Sequence, residues 1–260
     1  MSVLDTILLH KRTEIKERKD QRPQRELIKG IEETDSPRSF SQALRRDGLS
    51  VIAEIKKASP SRGVLSLDFD HRALAKEFES GGARALSVLT DERFFQGKPE
   101  FIADVKSICN LPVLRKDFIL DEYQVYESRL LGADAILLIV KVLPKKDLEH
   151  LYRCAKGIQL DVLVEAHTPE EVDIANEIGA DIIGINNRDL DTFEVSLERS
   201  LRLRAHVNPK ALSVSESGIM NSIDIGRLQK AGFDAVLIGE GLVKSQDRAK
   251  TLRELAYGSW

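Results

Sequence analysis

The sequence predicts an α/β protein in which eight parallel strands close into a (β/α)8 barrel, with a helical extension over residues 1–48. Three observations carry this prediction. Four apolar segments opening on glycine recur every 47 to 53 residues: GGARALSVLT (81–90), GADAILLIV (132–140), GADIIGINN (179–187) and GFDAVLIGE (232–240). Four more apolar runs fall before or between them: VIAEIK (51–56), PVLRKDF (112–118), DVLVEAH (161–167) and ALSVSES (211–217). Helix-patterned stretches fill the gaps. Strands alternating with helices mean a parallel sheet, and eight such units in this length fit a closed barrel. A doubly wound open sheet is the alternative, but it needs edge strands more polar than any of these.

The elements follow in order. In MSVLDTILLHKRTEIKERK, Leu4, Ile7, Leu8 and Ile15 recur at helical spacing among charges, which predicts a helix that covers one end of the barrel. It does not read as an export signal, and no stretch approaches the roughly 20 apolar residues of a membrane-spanning helix. The runs at 51–56, 112–118, 161–167 and 211–217 read as strands carrying charge near their ends. DHRALAKEFES, DEYQVYESRLL, PEEVDIANEI and SIDIGRLQKA read as the helices that follow strands one, three, five and seven. The glycine opening each of the other four strands suits the left-handed turn that ends a helix. Their uninterrupted apolar runs suit strands buried on both faces. The whole of 1–260 is expected to form one domain.

Composition narrows the function classes. The chain is 42% hydrophobic and 31% charged, with a formal charge of -3, so a sizeable core fits and no nucleic-acid footprint shows. Its two cysteines, Cys109 and Cys154, stand in unrelated contexts, which argues against a disulfide framework and for a reducing, cytoplasmic setting. The five histidines show no metal-ligand spacing, and no metal is expected. His167, two residues after Glu165, is read as a loop or supporting residue.

Charge at the strand ends points to chemistry. Active sites of this fold lie where the strands end. Glu54 and Lys56 share a face of the first strand, because side chains two apart on a strand do. Lys116 should point inward and its neighbours Arg115 and Asp117 outward. Glu165 and Glu216 end the fifth and seventh strands. Each taken alone fits a structural ion pair; five charges from four strands, with Arg188 just beyond the sixth, fit a catalytic pocket better, since burying charge is costly. Ser217–Gly218 and Gly239–Glu240–Gly241 follow strands seven and eight, the usual phosphate seat of this fold. Glu240 is expected to offer only its N–H there, with its side chain turned away. Ser59, Ser61 and Arg62 lie on the loop after the first strand. Phe94, Phe95 and Phe118 stand just past strand ends, where they could wall a flat apolar ligand.

In order along the chain, IAEIKKASPSRG, LPVLRKDFILDEYQV, GADAILLIV, LVEAHTPEE, IGINNRDLDTFEV, SESGI and LIGEGLVK resemble the indole-3-glycerol-phosphate synthase family, a TIM-barrel lyase of tryptophan biosynthesis. The likeness runs from about residue 35 onward, and the helical extension fits as well. The resemblance implies closure of the pyrrole ring of 1-(2-carboxyphenylamino)-1-deoxyribulose 5-phosphate, with release of carbon dioxide and water. It implies Lys116 as general acid, Glu165 as second acid/base group, Glu54 in support, and Lys56 and Arg188 for the substrate carboxylate or for charge balance. Asn186 and Glu216 would orient hydroxyls and lysines. Ser59, Ser217, Gly218, Gly239 and Glu240 would hold phosphate, and Phe95, Phe118 and Leu190 the aromatic ring. The family needs no cofactor. Its partner is a small phosphorylated substrate, with neither nucleic acid nor membrane, and the chain is expected to be a monomer with at most weak association with other enzymes of the pathway.

The chemistry asks for the same residue types. Attack of a weakly nucleophilic arene on a carbonyl needs a proton donor at the developing alkoxide. Lysine serves near neutral pH if its pKa is lowered, and a glutamate with a raised pKa can drive loss of hydroxide. Gly241 stands where the family often has serine. Rival readings are a Schiff-base aldolase using Lys116, testable by borohydride trapping; phosphoribosylanthranilate isomerase, which needs a cysteine at a strand end; an orotidine-phosphate decarboxylase, whose aspartate–lysine array AEIKKAS does not supply; and a non-catalytic barrel that binds a phosphorylated ligand.

Overall fold

The computed structural model describes residues 2–45, 48–245 and 247–257. Eight parallel strands are present: β1 (Ser50–Ile55), β2 (Ala85–Leu89), β3 (Val113–Lys116), β4 (Ala135–Ile139), β5 (Asp161–Ala166), β6 (Ile182–Asn186), β7 (Leu212–Glu216) and β8 (Ala235–Ile238). Each pairs with its chain neighbours, and β8 returns to β1 from Ser50↔Ala235 to Ala53↔Ile238, closing the barrel. All eight lie on the predicted runs. A short antiparallel ribbon, Ala58–Ser59 with Gly63–Val64, was not legible in the sequence.

Four of the interstrand helices start where a side chain caps them. Asp70, Asp121, Thr168 and Asn221 each accept hydrogen bonds from backbone N–H groups of the first turn, the groups that have no partner inside a helix. Gly82, Gly132, Gly179 and Gly232 sit at positive φ beyond the helix ends, as the glycine repeat implied.

Period two sorts the side chains. Ile52, Leu114, Leu163, Ile182, Leu212 and Leu237 fill the barrel interior. Their alternates, such as Val51, Val113, Val162 and Val236, join the core beneath the helices. Counting two onward from the interior residues brings Glu54, Lys116, Glu165, Gly184, Val214 and Gly239 inward as the strands approach their C-terminal ends.

The extension covers both ends of the barrel, where one was expected. Helix α1 (Val3–Gln21) lies toward the C-terminal mouth: its Leu4 and Ile7 line a cavity there together with Lys56, Phe95 and Arg188. Helix α2 (Gln24–Ile31) packs against the helix Glu122–Leu130. Helix α3 (Phe40–Leu44) plugs the opposite end. Phe40 and Leu44 are fully buried within the interior cluster, and the N–H groups of Arg38 and Ser41 bind Asp134 and Asp161, which stand at the starts of β4 and β5.

Candidate active site

The C-terminal mouth holds a cavity of about 470 Å³ lined by Glu54, Lys56, Lys116, Glu165, Arg188 and Glu216, among others. All five predicted charged groups from the strand ends, and Arg188, therefore meet in one place. Lys116 Nζ lies 3.4 Å from Glu165 and 3.4 Å from Glu216. Lys56 is ion-paired with Glu54. Asn186 is buried at the end of β6, where its side-chain oxygen accepts the Arg188 N–H at 3.0 Å. Two glycines make room for this crowding. A Cβ at Gly184 would collide with the Glu216 carboxylate, and one at Gly239 with that of Glu54.

Burial and mutual charge set the protonation states. Burial alone would lower the Lys116 pKa, yet Glu165, Glu216 and Glu54 together raise it above the ordinary lysine value. The sequence-based expectation of a lowered lysine pKa is thus reversed. Burial pushes Glu165 up, but Lys116, His167 and Asn186 overcome this and hold it below the ordinary range. Glu216 shares Lys116 with Glu165 and lacks those further partners, so burial and the neighbouring carboxylates Glu165 and Glu54 push it well up. The raised carboxyl among the three is Glu216. Glu54 is lowered against its burial, chiefly by Lys56 and then Lys116.

The two glycine turns line the same cavity. Ser217 and Gly218 are both left-handed, at φ 67° and 73°. A non-glycine residue in that region carries backbone strain and needs its surroundings to hold it. Asn187 does so: its side-chain amide donates to the Ser217 carbonyl at 3.0 Å and to Ser215 at 3.1 Å. Sequence reasoning missed Asn187, although the doubled INN was visible. Gly239 and Glu240 open the short helix Glu240–Val243 on the same side. The Glu240 side chain is bound to Lys244 at 2.7 Å and lies 3.5 Å from Arg62, which also lines the cavity. Phe95, Phe118 and Leu190 form the apolar wall, the two rings 6.3 Å apart, and a smaller cavity of about 90 Å³ extends between them and Ser59. Phe94 instead packs edge-on against His10, 5.7 Å away. His167 is buried, in place of the exposed loop position considered for it.

Arg115 and Asp117 point outward as counted, into a buried network that the sequence did not disclose. Lys11 of α1 inserts between Asp91 (2.9 Å) and Asp117 (3.0 Å), and Arg115 pairs with Asp117 (3.2 Å) and Glu127 (2.7 Å).

A closed eight-stranded barrel with acid–base side chains gathered at its C-terminal mouth defines a (β/α)8-barrel enzyme. Among solved structures the fold resembles 3-hexulose-6-phosphate synthase from Salmonella typhimurium (TM-score 0.65, 15% identity, 80% of this chain and 97% of that one). It also resembles thiamine phosphate pyrophosphorylase from Pyrococcus furiosus (TM-score 0.59, 18% identity, 80% and 93%). At those identities the likeness is one of fold. The sequence goes further. The family model for indole-3-glycerol phosphate synthase matches residues 4–255. Curated indole-3-glycerol phosphate synthases are 49% identical over 94% of both chains (Thermoanaerobacter pseudethanolicus) and 48% identical over 99% of this chain and 98% of the other (Chloroherpeton thalassium). The chain belongs to the indole-3-glycerol phosphate synthase family, decarboxylating carboxy-lyases of tryptophan biosynthesis.

Proposed function

We propose that the pocket closes the indole ring of 1-(2-carboxyphenylamino)-1-deoxyribulose 5-phosphate, with Lys116 as the general acid. The observation that carries this reading is Lys116 itself, pointing inward among Glu165, Glu216 and Glu54 in a cavity that the two glycine turns also line.

The substrate phosphate sits against the backbone of Ser217–Gly218 and Gly239–Glu240, with Ser59 beside it. Its aromatic ring lies against Phe95, Phe118 and Leu190, and its carboxylate faces Lys56 and Arg188. The ring carbon bearing the carboxylate attacks the ribulose carbonyl, and Lys116 protonates the oxygen as the C–C bond forms. A protonated lysine is the form a general acid needs, so the raised pKa keeps the donor loaded. The quaternary ring carbon then loses carbon dioxide, its bonding electrons returning to the ring system. Dehydration removes hydroxide from the former carbonyl carbon and a proton from its neighbour, so it needs an acid and a base together. Glu165 and Glu54 serve those two tasks. Once Lys116 has given up its proton, Glu165 loses the charge that most lowers its pKa, so its basicity rises when the later step needs it to carry a proton. Asn186 and Glu216 orient the hydroxyls and Lys116.

Mixing the protein with the carboxyphenylamino ribulose phosphate and recording indole fluorescence tests this reading. Fluorescence should rise with stoichiometric carbon dioxide, and Gly218→Ala should chiefly raise KM. Binding of the substrate without conversion would overturn the assignment.

A further inference from the structure

Behind Glu165 lies a second pair of groups that the reaction described above does not use. His167 stands two residues beyond Glu165, just past the end of β5, and both are buried. Among the described residues neither Glu165 Oε1 nor His167 Nε2 has a hydrogen-bond partner; both are buried, and they face one another at 3.4 Å. The other ring nitrogen of His167 lies 3.1 Å from Glu171, and the same Glu171 oxygen accepts the His167 backbone N–H at 2.7 Å. Glu171 is placed in turn by the helix Pro169–Glu177, where its own N–H is capped by Thr168.

We propose that His167, clamped by Glu171, is a positioning residue for the reaction: it holds the Glu165 carboxylate in the pocket and balances its charge from behind, while Lys116 does so from the front. The inference rests on the acid/base role given to Glu165. The arrangement is a carboxylate–imidazole–carboxylate chain running from the pocket to the first turn of an outer helix. An imidazole between two carboxylates is fixed in orientation by the outer one and favours its charged form. Burial works against that charge, but Glu165 and Glu171 outweigh it and bring the His167 pKa up to about 9. Glu171 and Glu165 are the charged groups that meet the ring itself. Lys116, Glu216 and Glu54, from β3, β7 and β1, face Glu165 from the pocket side.

Two readouts test this, one of them independent of turnover. In an NMR titration of the 15N-labelled histidine rings, His167 should be doubly protonated at pH 7.5 in the wild type, and its titration should move to lower pH in Glu165→Gln. A neutral His167 at pH 7.5 would overturn the proposal even if the substrate were not turned over, a failure that would count against the proposed function instead. In the active protein, His167→Asn should lower kcat about tenfold or more with KM within about threefold. It should also move the acidic limb of the kcat profile to higher pH, because Glu165 loses the cation that helps keep it ionised. Glu171→Gln, on the outer helix, should shift the limb the same way by less. An acidic limb that stays in place in both variants overturns the proposal, whatever happens to kcat.

Discussion

Near neutral pH Lys116 and the three carboxylates around it hold one proton more than four isolated groups would, and geometry decides where the extra one sits. Glu165 is approached by Lys116, His167 and Asn186, whereas Glu216 has Lys116 alone at 3.4 Å. The proton at neutral pH therefore belongs on Glu216. A carboxyl whose folded pKa lies above its unfolded value binds a proton in the folded state that the unfolded chain releases, so stability falls as pH rises between the two values. Glu216→Gln should accordingly raise the melting temperature relative to wild type at pH 9, and by distinctly more than at pH 4. Equal differences at both pH values in paired calorimetric scans would contradict this placement. At this scale the identity of the charged set was legible, because period two assigns each side chain a face. The distribution of protons was not, because it depends on distances between strands that lie tens of residues apart in the chain.

The strands supply more than side chains. Gly184 interrupts the apolar run Ile182–Ile185 of β6, where a glycine costs strand stability, and the reason is the Glu216 carboxylate filling the space a Cβ would take. Gly184→Ala should displace that carboxylate, lowering kcat about tenfold, while the flexible end of Glu216 yields enough to keep the stability loss within about 1–3 kcal/mol. Urea denaturation together with steady-state kinetics separates the two effects, and a variant with full kcat would remove Glu216 from the account. Helix α3 shows the opposite pattern. Phe40 fills the barrel floor far from the charged cluster, so Phe40→Ala should cost about 3–5 kcal/mol in denaturant titrations and leave KM unchanged. A rise in KM would mean that the floor and the mouth are coupled. A signal for Gly184 was present in the sequence as a lone glycine inside a strand. The plug was not, because FSQAL reads only as a short amphipathic turn.

The molecule as a whole is joined through buried charge. Lys11 is completely buried between Asp91, Asp117 and Glu14, tying α1 to the ends of β2 and β3 that flank Lys116. Removing one partner of a buried cluster leaves the others uncompensated, so Lys11→Met should cost about 3–5 kcal/mol in a denaturation experiment. A loss below about 1 kcal/mol would show that the cluster contributes little. Burial pushes Asp117 up, but Lys11 and then Arg115 hold it far below the ordinary carboxylate range. Its contribution is therefore present above the unfolded value of 3.8 and is lost as pH falls below it. The outward direction of Arg115 and Asp117 could be counted from the sequence. Their partners could not, since Lys11 and Glu127 come from helices whose docking no local pattern encodes. The barrel, by contrast, was legible almost throughout, because glycine turns, capping residues and apolar runs all agree on it.

The most direct test of the central claim is single-turnover conversion of 1-(2-carboxyphenylamino)-1-deoxyribulose 5-phosphate by the wild type and by Lys116→Ala, with circular dichroism confirming that both are folded. The wild type should form the indole product, and the variant should be slower by about 10²–10⁴-fold. A folded Lys116→Ala that converts the substrate at the wild-type rate would contradict the role given to Lys116.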